Sequence, residues 1–238
     1  MARKSLVSVV ADELLDRIVA GELGPNSVVP TEQDLMAQHD VSRMTVREAL
    51  SALQAQNIIR VERGRGTFVN PVHDWKALEP AMRATEATLS DEVAAKQLID
   101  LRRMIENGAI GLSALNRSQT DIEELDLLLE EMIDAHERDN LDDFVRADIA
   151  MHDLWFRSAR NVFVSVLLNP LDRVLYTRRR DASSMSAVQS SVISHHSSIL
   201  EAVRRRDPEA ARKAMDEHMN QATAVVTELL ENRDVIVG

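Results

Sequence analysis

The chain has 238 residues, of which 45% are hydrophobic and 28% charged, a composition that supports one large or two ordinary folded domains and excludes a disordered chain. It contains no cysteine, which excludes disulfides and thiolate metal sites and leaves His, Asp and Glu as possible ligands. The net charge of -11 argues against a nucleic-acid partner only if it is spread evenly, yet residues 41–66 carry five Arg (43, 47, 60, 63, 65) against Glu48 and Glu62.

Apolar residues recur at Leu6, Val10, Leu14 and Ile18, with Val7, Ala11 and Leu15 beside them, the period of an amphipathic helix that ends near Gly21. Asp12, Glu13 and Asp16 interrupt this segment, and no apolar run approaches the roughly 18 residues of a membrane span. A cytoplasmic protein with no membrane partner is therefore expected. Thr31, three residues before Asp34, makes a capping box that opens a short second helix ending before His39. Ser42 can cap a third helix running to about Gln56, with Val46, Leu50 and Leu53 as its buried stripe. Two short helices around a tight turn suggest helix-turn-helix. β-branched residues on both sides of Gly64-Arg65-Gly66 read as a hairpin, the wing, which Pro71 ends.

Residues 71–89 read as a linker, with Trp75 and Leu78 available to dock on a domain. From Ser90 onward the pattern is helical throughout, with spans at 90–116, 119–138, 142–160, 162–181 with a kink at Pro170, 185–206 and 208–232. Ser118 with Asp121 caps the second of these, and Asp207 followed by Pro208 opens the last. The expected protein is mainly α: an N-terminal winged helix-turn-helix (1–70), the linker, and a C-terminal all-α bundle of six or seven helices (90–238).

With Ser42 as cap, Arg43 lies in the first turn of the third helix and Arg47 follows on the same face, with Thr45 between them. Arginine suits guanine edges because its fork donates two hydrogen bonds at once, while a capping Ser and free helix N–H groups suit phosphate. Arg63 and Arg65 at the wing tip are placed to reach backbone or minor groove. The segments Gly21-Glu22-Leu23, Pro30-Thr31-Glu32, VSRMTVREAL (41–50) and GRGTFV (64–69), in this order and at these gaps, resemble the DNA-binding domain of the GntR family. The resemblance implies a homodimer on double-stranded DNA at a pseudo-palindromic operator, with Arg43, Thr45, Arg47, Arg63 and Gly64 at contact positions. Asn26 and Asn57 stand where glycine is usual, a change that Asn tolerates in left-handed backbone. Gln33 stands where some members carry a DNA-contacting Arg and is kept as a contact position.

In the helical part, Asp148 and His152 are four apart on one helix face, and His196 and His218 lie on two further helices that a bundle can turn inward. Three His and a carboxylate form a set for a divalent ion, zinc first, with nickel, cobalt or manganese as alternatives. His195 competes with His196. The segments Leu101-Arg102 with Ile105-Glu106, Asp148 to His152, His196 to Ile199 with Glu201-Ala202, and Asp207 with His218 resemble the ligand-binding domain of the FadR subfamily. That resemblance implies that Asp148, His152, His196 and His218 hold the ion, that a small organic acid binds against it, and that Arg102 meets the acid's carboxylate. Residues 73–79, His-Asp-Trp-Lys-Ala-Leu-Glu, resemble members that respond to sugar acids. The expected function is a repressor released from its operator by the acid; a sensor of the metal itself and a metal-dependent hydrolase are the alternatives.

Overall fold

The computed structural model describes residues 5–88, 91–168, 176 and 179–237. The chain separates into two compact units, Met1–Ser90 and Asp91–Gly238.

In the first unit, α1 (Leu6–Val19), α2 (Glu32–His39) and α3 (Arg43–Ala55) precede a hairpin of β1 (Ile59–Glu62) and β2 (Gly66–Val69). Each helix starts where a side chain relieves its free N–H groups: Ser5 accepts from Ser8 N, Thr31 and Asp34 form a reciprocal box, and Ser42 accepts from Thr45 N. Such a cap contributes about 1 kcal/mol. The second helix runs through His39, one residue beyond expectation, because Asp40 supplies the left-handed residue (φ 49°) that ends it. The buried stripe of α3 is Val46, Ala49 and Leu53; Leu50, expected within it, is half-buried. Its place is taken by Ala49, which shares the i, i+3, i+7 face with the other two.

The hairpin pairs Ile59 with Val69 and Glu62 with Gly66, so residues 63–65 form the turn. Residues 27–29 run along β2 through Val29 N to Thr67 O (2.8 Å) and Val69 N to Ser27 O (3.0 Å). The tight bends on either side use Asn26 (φ 65°) and Asn57 (φ 56°), the two positions where Asn replaces an expected glycine. Leu14, Leu35, Val46, Leu53, Ile58 and Val69 close the core, each contributing about 1.5–3 kcal/mol by burial. The segment after β2 is ordered against this unit: a 3-10 turn (Val72–Asp74) leads into α4 (Leu78–Thr88). Trp75 packs on the core and its indole N–H donates to Asn70 O at 2.9 Å.

The second unit consists, in its described residues, of α5 (Asp91–Asn116), α6 (Gln119–Glu137), α7 (Leu141–Ser158), α8 (Val162–Leu168), helical backbone at 179–182, α9 (Ser186–Arg204) and α10 (Pro208–Val237). The expected kink at Pro170 lies outside the described residues. Ser118 and Asp121 form the predicted box at the start of α6, and Asp207 accepts from Ala210 N (3.0 Å) ahead of Pro208. α5 packs on α7, α9 and α10, and α6 on α7 and α9. Their shared interior holds Phe144, Met151, Trp155, Ile199, Met215 and Met219, all fully buried. α7 is central because Phe144, Ala147, Asp148, Met151, His152 and Trp155 are all buried, a face wide enough to meet two neighbours. That is how polar residues at 148 and 152 come to lie inside.

Candidate functional site

The first unit presents a face formed by the start of α3, the start of α2 and the wing. Ser42 Oγ accepts from Thr45 N at 3.2 Å and lies 2.9 Å from Thr45 Oγ1, so cap and first turn are fixed together. Arg43 and Arg47 project from this turn into solvent, with Thr45 half-buried between them. Arg47 lies 3.8 Å from Glu32 of α2 and is 71% exposed, a pairing weak enough to be exchanged for a stronger anion. On the wing, Glu62 pairs with Arg60 (3.1 Å) and with Arg65, while Arg65 also lies 5.5 Å from the Phe68 ring centre. Arg43 and Arg63 have no carboxylate partner among the described residues. Gln33 is exposed in the first turn of α2, and Gly64 (φ 76°) makes the wing turn. Of the sequence-predicted positions, Arg43, Arg47 and Arg65 line one groove, together with Thr67, Glu32 and Glu48, while Gln33, Ser42, Thr45, Arg63 and Gly64 are not among its described lining residues. Its cationic rim suits a phosphate backbone and its helix N-terminus adds partial positive charge.

The second unit encloses a cluster of ionisable groups. His152 from α7, His196 from α9 and His218 from α10 are each at most 4% exposed, with ring centres 4.9–5.5 Å apart. One nitrogen from each lies within 4.8 Å of the others. Asp148 Oδ1 is 3.4 Å from His196 Nε2 and 3.8 Å from His152 Nε2, and its other oxygen pairs with Arg179. His196, not His195, enters the cluster; His195 is half-buried, its ring centre 6.0 Å from that of His218. Arg102 lies buried on α5, as Glu106 does one turn later, and donates to it from Nε (2.6 Å) and Nη2 (3.5 Å). The second Glu106 oxygen is 3.0 Å from His152 Nδ1.

Electrostatics set the charge states. Burial pushes His152 and His218 well below the usual histidine range and His196 down to about 4, so all three are neutral at pH 7. Burial alone would raise Asp148, but Arg179, then His152 and His196, outweigh it and hold the carboxyl at about 2. Both ring nitrogens of His196, Nε2 of His152 and Nδ1 of His218 are buried without a hydrogen-bond partner, and the Glu106 oxygen beside His152 Nδ1 is close enough for an ion pair but not aligned for a hydrogen bond. Each such orphan costs about 1–3 kcal/mol. Neutral imidazoles with unengaged nitrogens, beside an ionised carboxylate, are the donor set a divalent ion takes. The residues present therefore fit the metal that the sequence suggested, and the three-histidine cluster is able to hold one.

Sequence reasoning assigns no role to Glu106 and Arg179, both part of this buried network. Glu106 entered only as part of the Ile105-Glu106 segment of the family resemblance, while its i+4 spacing from Arg102 was the signal of a pair. Arg179 sits in a run of three arginines (178–180), where periodicity does not mark it out as a partner of Asp148.

Comparison with known proteins matches residues 6–69 to the description "Bacterial regulatory proteins, gntR family" and residues 97–221, just over half of the chain, to the FCD domain. The HTH-type transcriptional repressor NanR of Escherichia coli K12 is 29% identical over 227 residues, covering 94% of this chain and 85% of NanR. NanR of Citrobacter rodentium is 29% identical with 94% and 86% covered. Among solved structures, Lar of Listeria monocytogenes is 20% identical, with 96% of this chain and 100% of that one covered and a TM-score of 0.64. McbR/YncC of E. coli is 19% identical, with 96% and 100% covered and a TM-score of 0.55. These two matches speak to the fold. A gntR winged helix binds DNA and an FCD domain binds an effector, and these relatives are regulators, which sets aside the hydrolase alternative. The chain belongs to the GntR family of bacterial transcription regulators, in the FadR subfamily that joins a winged helix-turn-helix to an FCD domain.

Proposed function

We propose that this protein is a cytoplasmic repressor, a homodimer on a pseudo-palindromic operator, released when a small organic acid binds beside a divalent ion held in the second unit. Arg43 and Arg47 read base edges, Thr45 and Ser42 meet phosphate, Gln33 adds a contact from α2, and Arg63, Gly64 and Arg65 engage the duplex from the wing. Arg43 and Arg63, with no carboxylate partner among the described residues, and weakly paired Arg47 support this division, since a side chain already locked in an ion pair would have to break it to bind DNA. Two-fold symmetry of the dimer accounts for a two-fold operator.

His152, His196 and His218 hold the ion, with Asp148 as fourth ligand after exchanging its contacts within the cluster. Three neutral nitrogens and one carboxylate favour zinc, with nickel, cobalt or manganese accepted by the same set. The bound ion would supply positive charge that attracts and orients an acid's oxygens. Arg102 and Arg179 balance Glu106 and Asp148, so a divalent ion leaves the interior with excess positive charge that an anion relieves. Arg102 then meets the acid's carboxylate from α5. Because α5, α7, α9 and α10 all contribute to this cluster, a ligand that rearranges it shifts the bundle as a whole, and acid and operator binding are thermodynamically coupled.

The observation that carries the reading is the meeting of three buried histidines from three helices, most of their ring nitrogens without a hydrogen-bond partner, in a chain whose other unit is a winged helix. Elemental analysis by mass spectrometry of protein purified without chelators tests it, with His152→Ala and His218→Ala in parallel. About one divalent ion per chain, lost in both variants, is expected. Metal-free protein that takes up none on titration would refute the metal site while leaving the DNA-binding assignment intact.

A further inference from the structure

A cavity of about 70 Å³ opens within the second unit beside His218 and Asp148. At one end lie Arg102 and Arg179 with Asp148; away from them the wall is aliphatic, formed by Leu98, Ile99, Val188, Val192, Val225 and Val226. The polar groups at the charged end are already engaged with one another: Arg102 with Glu106, Arg179 with Asp148. Besides Arg102, Arg179 and Asp148, the polar side chains among the described lining residues are the uncharged His218, Ser183 and Gln221.

From this division we infer that the effector is a short monocarboxylic acid with an unsubstituted apolar tail, and not a polyhydroxylated acid such as a sugar acid. The inference rests on reading this cavity as the effector site. A carboxylate has guanidinium groups to face at one end. A chain of hydroxyls running along the valine, leucine and isoleucine wall would find few partners among the described lining residues, and each hydroxyl buried there without one costs about 10- to 100-fold in affinity. Methylenes gain where hydroxyls lose: each one placed against this wall tightens binding about fourfold.

The test is calorimetric titration of the full-length protein, as purified with its metal, against acetate, butyrate, hexanoate, glucuronate and gluconate. Release from operator DNA by each acid is measured in parallel. Affinity is expected to climb about fourfold per methylene from acetate until the tail fills the cavity. Glucuronate and gluconate are expected at least 100-fold weaker than hexanoate, which has the same number of carbons. Val188→Phe, at a half-buried position of the wall, is expected to weaken hexanoate more than acetate. Glucuronate or gluconate binding as tightly as hexanoate would overturn the inference and leave the effector site in place. Failure of every acid to bind protein whose metal content is confirmed would overturn the effector-site reading as well. The unmodified protein alone decides both points, so they do not depend on how the variant folds.

Discussion

Replacing Glu106 with glutamine removes the charge that balances Arg102 in the interior of the FCD domain. Arg102 and Glu106 side chains are 8% and 0% exposed and meet at 2.6 Å, so neither is screened by solvent as a surface pair would be. Breaking a buried pair by removing one partner typically costs about 3–5 kcal/mol, because the remaining charge stays desolvated and uncompensated. Glutamine keeps the size and one acceptor, so a cavity contributes little and the loss is electrostatic. For a unit of this size the expected fall in Tm is roughly 6–20 °C. The two units need not unfold together, and the two tryptophans separate them: Trp75 lies in the first unit, and Trp155 lies buried in the second, its ring 5.1 Å from that of His152. In a Trp75→Phe background, thermal unfolding followed by Trp155 fluorescence reports the FCD domain alone. Adding Arg102→Met to Glu106→Gln is expected to restore much of the lost stability, since no unpaired charge then remains. A Tm change below about 2 °C for Glu106→Gln, or a double variant less stable than the single one, would refute the view that this carboxylate acts as the counter-charge of Arg102.

On operator DNA, Arg43→Ala and Arg47→Ala are each expected to weaken binding by about 1–3 kcal/mol and to relax base preference, measured by fluorescence anisotropy at fixed salt; unchanged affinity in both would place the recognition surface elsewhere. Arg63→Ala is expected to weaken all sequences alike and to lower the salt dependence by about one counterion, and an altered base preference would contradict a backbone role. Stripping metal with a chelator is expected to lower the Tm of the unmodified protein and leave His218→Ala unchanged; equal shifts in both would argue against a metal held by that residue. In metal-free protein, stability is expected to be full above about pH 6.5 and to fall as pH drops towards 4, because unfolded histidines gain protons that the buried ones resist; a shift of His196 to about 4 corresponds to roughly 3 kcal/mol. Denaturant titrations across that interval measure it, and a flat profile would mean that these histidines are not buried as neutral groups.

Local chemistry carried the helix starts, the wing turn and the DNA-reading face into the sequence. Thr31 with Asp34, Ser42 with Thr45, and Ser118 with Asp121 act over three residues, so the caps they form in the structure are the caps their spacing predicts. Arg43, Arg47 and Arg63 are exposed because nothing in their own helix or turn competes for them, and their positions follow from the helix period alone. The segment after the wing was not legible: Trp75 is fastened by Asn70, and Lys76 N by Gln56 O at 2.8 Å, partners that are distant in the chain and follow no local period.

The candidate metal cluster divides along the same line. That Asp148 and His152 share a helix face is a property of spacing, but that His196 and His218 face them, with His195 at the rim, depends on how α9 and α10 are rotated against α7. Rotation is settled by which apolar stripes interlock, a sum of many contacts that no short window of sequence contains. Glu106 and Arg179 went unassigned for the same reason, since a charge is recognisable as a buried partner only once the opposite charge is in view. The sequence by itself determined the order of the elements, their caps and the exposure of the arginines proposed to meet DNA, because those depend on neighbours within a turn or two. Only the tertiary structure decided which charges are buried together and how much of the cavity beside them is aliphatic, because burial is a property of packing between helices and not of any one of them.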